Sequence, residues 1–68
     1  MNTLFKYEDG ETGNIFHVLV DTSDTECEII DVRADDEGSA VGKNLVPFLS
    51  EELLYSIQRF ADTYTALF

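Results

Sequence analysis

One apolar stripe in the last third of the sequence constrains the fold more than any other feature. Ser50 precedes the stripe and predicts a helix N-cap, and Glu51 and Glu52 in the first turn complement the helix dipole. The members of the stripe recur at intervals of three and four residues, which places them on one face of an α-helix: Leu53, Leu54, Ile57, Phe60, Ala61 and Tyr64. The sequence therefore predicts one amphipathic helix that needs another apolar surface to pack on.

Three β-prone segments precede this helix and provide that surface. They span residues 3–8, 14–20 and 26–33, and polar turns separate them. Asp9-Gly10 predicts a type I′ hairpin turn, residues 34–44 predict a loop, and Pro47 predicts an extended segment or a short turn before the helix. We therefore predict one α+β domain over residues 1–68: a three-stranded antiparallel β-meander followed by one C-terminal amphipathic helix packed on one face (β-β-β-α).

The second β-prone segment has two apolar faces, and one helix can cover only one of them. Phe16, Val18 and Val20 form the larger set and are expected to face the helix. Ile15 and Leu19 would then lie exposed on the opposite face. Since burying such side chains stabilises by roughly 1.5–3 kcal/mol each, we expect self-association through them as a homodimer.

Charge is the outlying feature of the composition. Fourteen acidic residues against four basic ones give a formal net charge of −10. Such a chain repels nucleic-acid phosphates and anionic membranes, so we expect neither direct nucleic-acid binding nor membrane binding.

The carboxylates concentrate on the turns and edges of the predicted sheet, where they form the candidate surface for a basic partner. Because alternate turns of a meander lie at the same end, the first turn and the loop after the third strand are expected to form one patch. Alternate strand residues lie about 6.6 Å apart, a spacing that suits mimicry of nucleic-acid phosphates. The alternative is that the acidity only keeps the domain soluble. The candidate residues are Glu8, Asp9, Glu11, Asp21, Asp24, Glu26, Glu28, Asp35, Asp36 and Glu37.

Motifs that would support chemistry are incomplete. Residues 38–44 approach a phosphate-binding loop, but the glycine spacing is one residue short and Asn44 replaces the metal-binding hydroxyl. Residues 21–32 begin like a calcium loop but lack its glycine and its final glutamate. Cys27 lies between two glutamates, which disfavour the thiolate that a Cys27–His17 pair would need. We therefore expect no enzymatic activity, no metal site and no cofactor.

The N-terminal residues lack a signal-peptide pattern, no apolar run approaches the ~18 residues of a membrane span, and cysteine occurs once. These features predict a cytoplasmic protein.

The order of elements also supports a resemblance. Leu4-Phe5-Lys6-Tyr7 with Asp9-Gly10, the strands at 15–20 and 29–32, and Leu49-Ser50 before the helix resemble small acidic accessory proteins of phages and prophages. That group includes anti-CRISPR proteins and other host-takeover inhibitors. The resemblance covers element order, size and acidity, and it transfers no residue role.

These observations together predict a small acidic binding protein. It would inhibit a nucleic-acid-handling host protein by occupying a basic surface of a larger protein or ribonucleoprotein complex. The alternatives are a structural or assembly protein that oligomerises through its sheet face and Leu67-Phe68, and a small regulatory module that binds a ligand.

Overall fold

The chain folds as a sequential β-meander followed by a helix. The computed structural model describes residues 2–23 and 27–66. The sheet order is β1-β2-β3-β4, and each strand is antiparallel to its neighbour. The predicted α+β class, with one helix after an antiparallel sheet, is confirmed. The elements are β1 (Asn2–Glu8), β2 (Ile15–Asp21), β3 (Glu28–Asp36), β4 (Ser39–Val41), a 3₁₀ turn (Val46–Phe48) and α1 (Glu51–Ala66).

The prediction of three strands was wrong by one, because residues 34–44 are not simply a loop. β3 continues to Asp36, and β4 returns beside it with Asp36 opposite Ser39. The two residues between them, Glu37 and Gly38, have φ angles of 52° and 91°. Positive φ at both central positions of a two-residue hairpin is the signature of a type I′ turn. A tight turn therefore occurs where the sequence predicted an open loop.

The prediction of a type I′ turn at Asp9-Gly10 was also wrong. Gly13, with φ of 77°, is the residue of this loop in the left-handed region. The loop closes through a hydrogen bond from the Asp9 amide to the Asn14 carbonyl, at 2.8 Å. The Asp9 carboxylate also accepts bonds from the Glu11 amide at 3.3 Å and the Thr12 hydroxyl at 2.8 Å. These local bonds favour a longer loop over a two-residue turn.

The core lies between α1 and one face of the sheet. Phe16, Val18 and Val20 of β2 are buried there, as predicted, against Ile57 and Ala61 of α1. Phe5 of β1 packs against the aromatic rings of Phe60 and Tyr64 in tilted arrangements, with ring centroids 5.4 and 5.1 Å away. The predicted N-cap is confirmed, since the Leu53 amide donates to Ser50 Oγ at 3.2 Å. The face of the sheet opposite to α1 is called the far face below.

Two side-chain amides attach irregular segments to the regular elements. The Asn44 side-chain oxygen accepts hydrogen bonds from the Val32 and Val46 amides, both at 3.1 Å. It therefore holds the segment before α1 against β3. From α1, Gln58 Nε2 donates to the Cys27 carbonyl at 2.7 Å and fixes the helix to the start of β3.

Candidate functional site

One end of the sheet collects carboxylates from three separate parts of the chain. The β1–β2 loop and the β3–β4 turn lie at this end, because strand direction alternates in a meander. β1 and β3 are two strand spacings apart, about 10 Å, so the two acidic groups are near neighbours. The expectation that the first turn and the loop after β3 share one end is confirmed. We call this region the acidic end and define it by Glu8, Asp9, Glu11, Asp36, Glu37 and Glu52.

A groove of about 360 Å³ opens at the acidic end, between the β1–β2 loop and the first turns of α1. Asp9 and Glu11 line one side, Glu52 lines the other, and Tyr7 and Leu53 contribute apolar surface. No Lys or Arg is among the residues that line it. The groove is therefore negative on two sides, with an apolar part where an aliphatic stem could lie.

The four basic residues do not neutralise the acidic end. Arg33 donates to Asp31 at 2.8 Å and to the Gly42 carbonyl at 2.6 Å. The Lys43 ammonium lies 4.3 Å from the ring centroid of Phe48, and the Arg59 guanidinium lies over the ring of Tyr55. Lys6 lies on the far face, opposite His17 in the register of β1 and β2. Within residues 2–23 and 27–66, no ion pair involves a carboxylate of the acidic end.

Asp35 does not belong to the acidic end, although the sequence placed it in one loop with Asp36 and Glu37. Asp35 and Asp36 are strand residues of β3 and point to opposite faces. The Asp35 carboxylate lies on the far face and accepts a hydrogen bond from His17 Nε2 at 2.7 Å. That bond, with a further one from the Gly38 amide, lowers the pKa of the Asp35 carboxyl below its ordinary value. The predicted acidic loop is thus divided between two surfaces.

The remaining predicted acidic residues lie at the opposite end of the sheet. Asp21 and Glu28 are directly opposite each other in the register of β2 and β3. The Ser23 amide donates to the Asp21 carboxylate at 2.9 Å and lowers the pKa of that carboxyl. Asp24 and Glu26 lie outside the described residues. The structure therefore separates the predicted acidic surface into two ends and does not join them.

The far face carries the residues predicted to mediate self-association. Leu4 is 62% exposed and Ile15 is 38% exposed, whereas Leu19 is only half-buried. His17, which lies between Ile15 and Leu19 in β2, is only 7% exposed even though it is on the face opposite to α1. Leu67 and Phe68, the other predicted contact, lie outside the described residues.

The charged side chains of β1 and β3 on the far face balance only in part. Lys6 and Arg33 are basic, whereas Glu8, Glu28, Asp31 and Asp35 are acidic, so these two strands give the far face a formal net charge of −2. The His17–Asp35 and Arg33–Asp31 pairs were not predicted from the sequence. Asp31, Arg33 and Asp35 at alternate positions of one strand were the available signal, because alternate residues share a face.

The residues considered for chemistry are not assembled. Cys27 Sγ lies 2.9 Å from the Thr65 hydroxyl of α1, on the core side of the sheet, while His17 is on the far face. Asn44, considered as part of a phosphate loop, uses its side-chain oxygen to accept two backbone amides instead. In the described part of the chain, no three His, Cys, Asp or Glu side chains are grouped as a metal site would require.

Comparisons of the chain with protein-family models, with curated proteins and with solved structures find no match. No helix within the described residues is long and apolar enough to cross a membrane.

Proposed function

We propose that this protein is a small acidic binding protein that occupies a basic surface on a larger nucleic-acid-handling protein or ribonucleoprotein complex and thereby inhibits it. One observation carries the proposal: the acidic end gathers six carboxylates from the sheet and α1, and none is paired with Lys or Arg within the described residues. Such a surface attracts a positive one, steers its approach and opposes binding to other acidic molecules.

Basic surfaces of this kind occur where proteins hold nucleic-acid phosphates, because Lys and Arg displace the counterions of the nucleic acid. A rigid acidic end therefore competes for the same Lys and Arg side chains. The proposal extends to a cytoplasmic, phage-type inhibitor, as the resemblance to phage accessory proteins implies, with anti-CRISPR action among the forms it can take. The rigidity comes from the strands and from the Asp9-centred loop, whose side-chain bonds order it before a partner arrives.

The test measures binding and competition with partners isolated from host lysate. Affinity is expected to fall as salt rises from low to physiological levels and beyond, because exposed charges are screened. The protein is also expected to displace nucleic acid from the same partner. Binding that is unchanged across the salt range, or that leaves nucleic acid in place, would contradict the proposal.

A charge-matched pair of variants locates the contact. Glu11→Gln with Asp36→Asn removes two exposed carboxylates from the acidic end, whereas Glu28→Gln with Asp62→Asn removes two from elsewhere. We expect the first pair to weaken binding more than the second. Equal losses would indicate that only the total charge matters.

A second candidate is an assembly protein that acts by self-association through the far face. Lys6 and Arg33 on that face favour it, because they offset two of the four carboxylates of β1 and β3 there and so reduce the repulsion from a second chain of charge −10. Exposed Leu4 and Ile15 add apolar area to the same face.

A further inference from the structure

The longer open edge of the sheet is β1. It has seven residues and pairs with β2 alone among the described strands, while β4 at the other edge has three residues. An edge strand presents a row of unpaired backbone N–H and C=O groups along its outer side. Such an edge can accept an extended segment of another protein by strand addition.

An aromatic surface lies beside this edge. Phe60 of α1 is 41% exposed, although it contacts two aromatic residues of β1. The centroid of its ring is 5.4 Å from the ring centroid of Phe5 and 5.4 Å from that of Tyr7, which it meets edge to face. Tyr64 stacks on Phe60 from the next turn of α1, so the ring is held in place. An added strand would find an ordered apolar surface here for its alternate side chains.

The acidic groove continues from the same edge. Tyr7 contacts Phe60 and also lines the groove, and the chain passes from β1 directly into Asp9 and Glu11. The aromatic surface and the three groove carboxylates therefore form one continuous strip along β1 and just beyond it. Its charge selects an occupant with Lys or Arg at the end that reaches the groove.

We infer that β1 is the docking edge for an extended, basic segment of the partner, which adds to the sheet as a fifth strand and places a Lys or Arg in the groove of Asp9, Glu11 and Glu52. The inference rests on the proposed function, because it names how the basic partner is held. A second copy of this chain suits the edge less well, since its own β1 would bring Glu8 and the following acidic loop into the contact.

The experiment uses two synthetic heptapeptides of equal charge, capped at both ends. One alternates Lys with Val and can pair as a strand; the other alternates Lys with Pro and lacks the backbone N–H at every second position. Binding to the isotopically labelled protein is followed by amide NMR shifts at low salt. We expect the Lys-Val peptide to bind about tenfold more tightly or better, because the Lys-Pro peptide forms fewer backbone hydrogen bonds. The Lys-Val peptide should shift and protect the amides of residues 2–8.

Matched variants test the groove. Glu11→Gln with Glu52→Gln should lower the affinity for the Lys-Val peptide about fivefold, since each exposed charge contact contributes modestly to binding. Asp36→Asn with Glu37→Gln, at the acidic end but outside the groove lining, should change its affinity less.

Equal affinity for the two peptides, or shifts that spare β1, would overturn strand addition while leaving the acidic binding function intact. Failure of both peptides to bind at low salt would count against the docking edge and the proposed function together.

Discussion

The type I′ turn between β3 and β4 makes a quantitative prediction about stability. Glu37 occupies it with φ of 52°, where the Cβ of an L-residue crowds the following carbonyl and costs roughly 1–2 kcal/mol. Asn adopts this conformation more readily, so Glu37→Asn should recover part of that cost, about 0.5–1 kcal/mol. For a domain of this size about 1 kcal/mol corresponds to roughly 4–8 °C in Tm, so a rise of roughly 2–8 °C is expected.

Thermal denaturation followed by circular dichroism measures this, with Glu37→Gln as the control. Gln removes the same negative charge but keeps a long side chain with ordinary conformational preferences. It therefore reports the benefit of lowering the net charge of −10 without relief of the backbone. Glu37→Asn should exceed Glu37→Gln by most of the predicted gain. Equal gains for the two variants would refute the argument, because they would assign the effect to charge alone.

Two further predictions concern the far face. The folded-state pKa of Asp35 is lowered, so its stabilisation is present above the unfolded value of about 3.8 and is lost as the pH falls through the folded value. Urea unfolding at pH 7 and pH 3 should therefore show that the free energy of unfolding falls more on acidification for wild type than for Asp35→Asn. Equal losses would show that the His17–Asp35 contact does not contribute to the pH dependence of stability. Self-association through Ile15 and Leu19 should appear in light scattering at micromolar concentration as a mass above the 7.7 kDa of one chain, and Leu19→Glu should abolish it by placing an unpaired charge in the contact. A mass of one chain for wild type would exclude the dimer, and a dimer that survives Leu19→Glu would place the contact elsewhere.

Long periodic segments were predictable from the sequence, and short or register-dependent features were not. The stripe around Ile57 and the alternation along β2 correctly predicted α1 and its buried partners. β4 was missed because three residues carry little pattern. Asp9-Gly10 has the favoured composition of a type I′ turn, but the Asp9 carboxylate bonds within its own loop, and the turn forms instead at Glu37-Gly38.

The sequence was sufficient to predict which connections share an end of the sheet, but not which side chains of the site pair with each other. Because strand direction alternates, the β1–β2 loop and the β3–β4 turn must lie at the same end of the sheet. Pairing His17 with Asp35 requires the register of β2 and β3, which shifts by one residue between Leu19 and Val20, where Ile30 has no partner. A bulge of this kind has no reliable sequence signal, so alternation could place Asp31, Arg33 and Asp35 on one face but could not pair Asp35 with His17.

The sequential order of the meander has a consequence for how the chain folds. Every strand pairs with the strand next to it along the chain, so the loops that must close are short and the hairpins can form early. The core cannot form early, because Val18, Val20 and Val32 are covered by Ile57 and Ala61 of α1, which is made last among these elements. The docking of α1 is therefore the step that completes the burial of the core. In kinetic terms, side chains of α1 that bury late should affect the rate of unfolding more than the rate of folding.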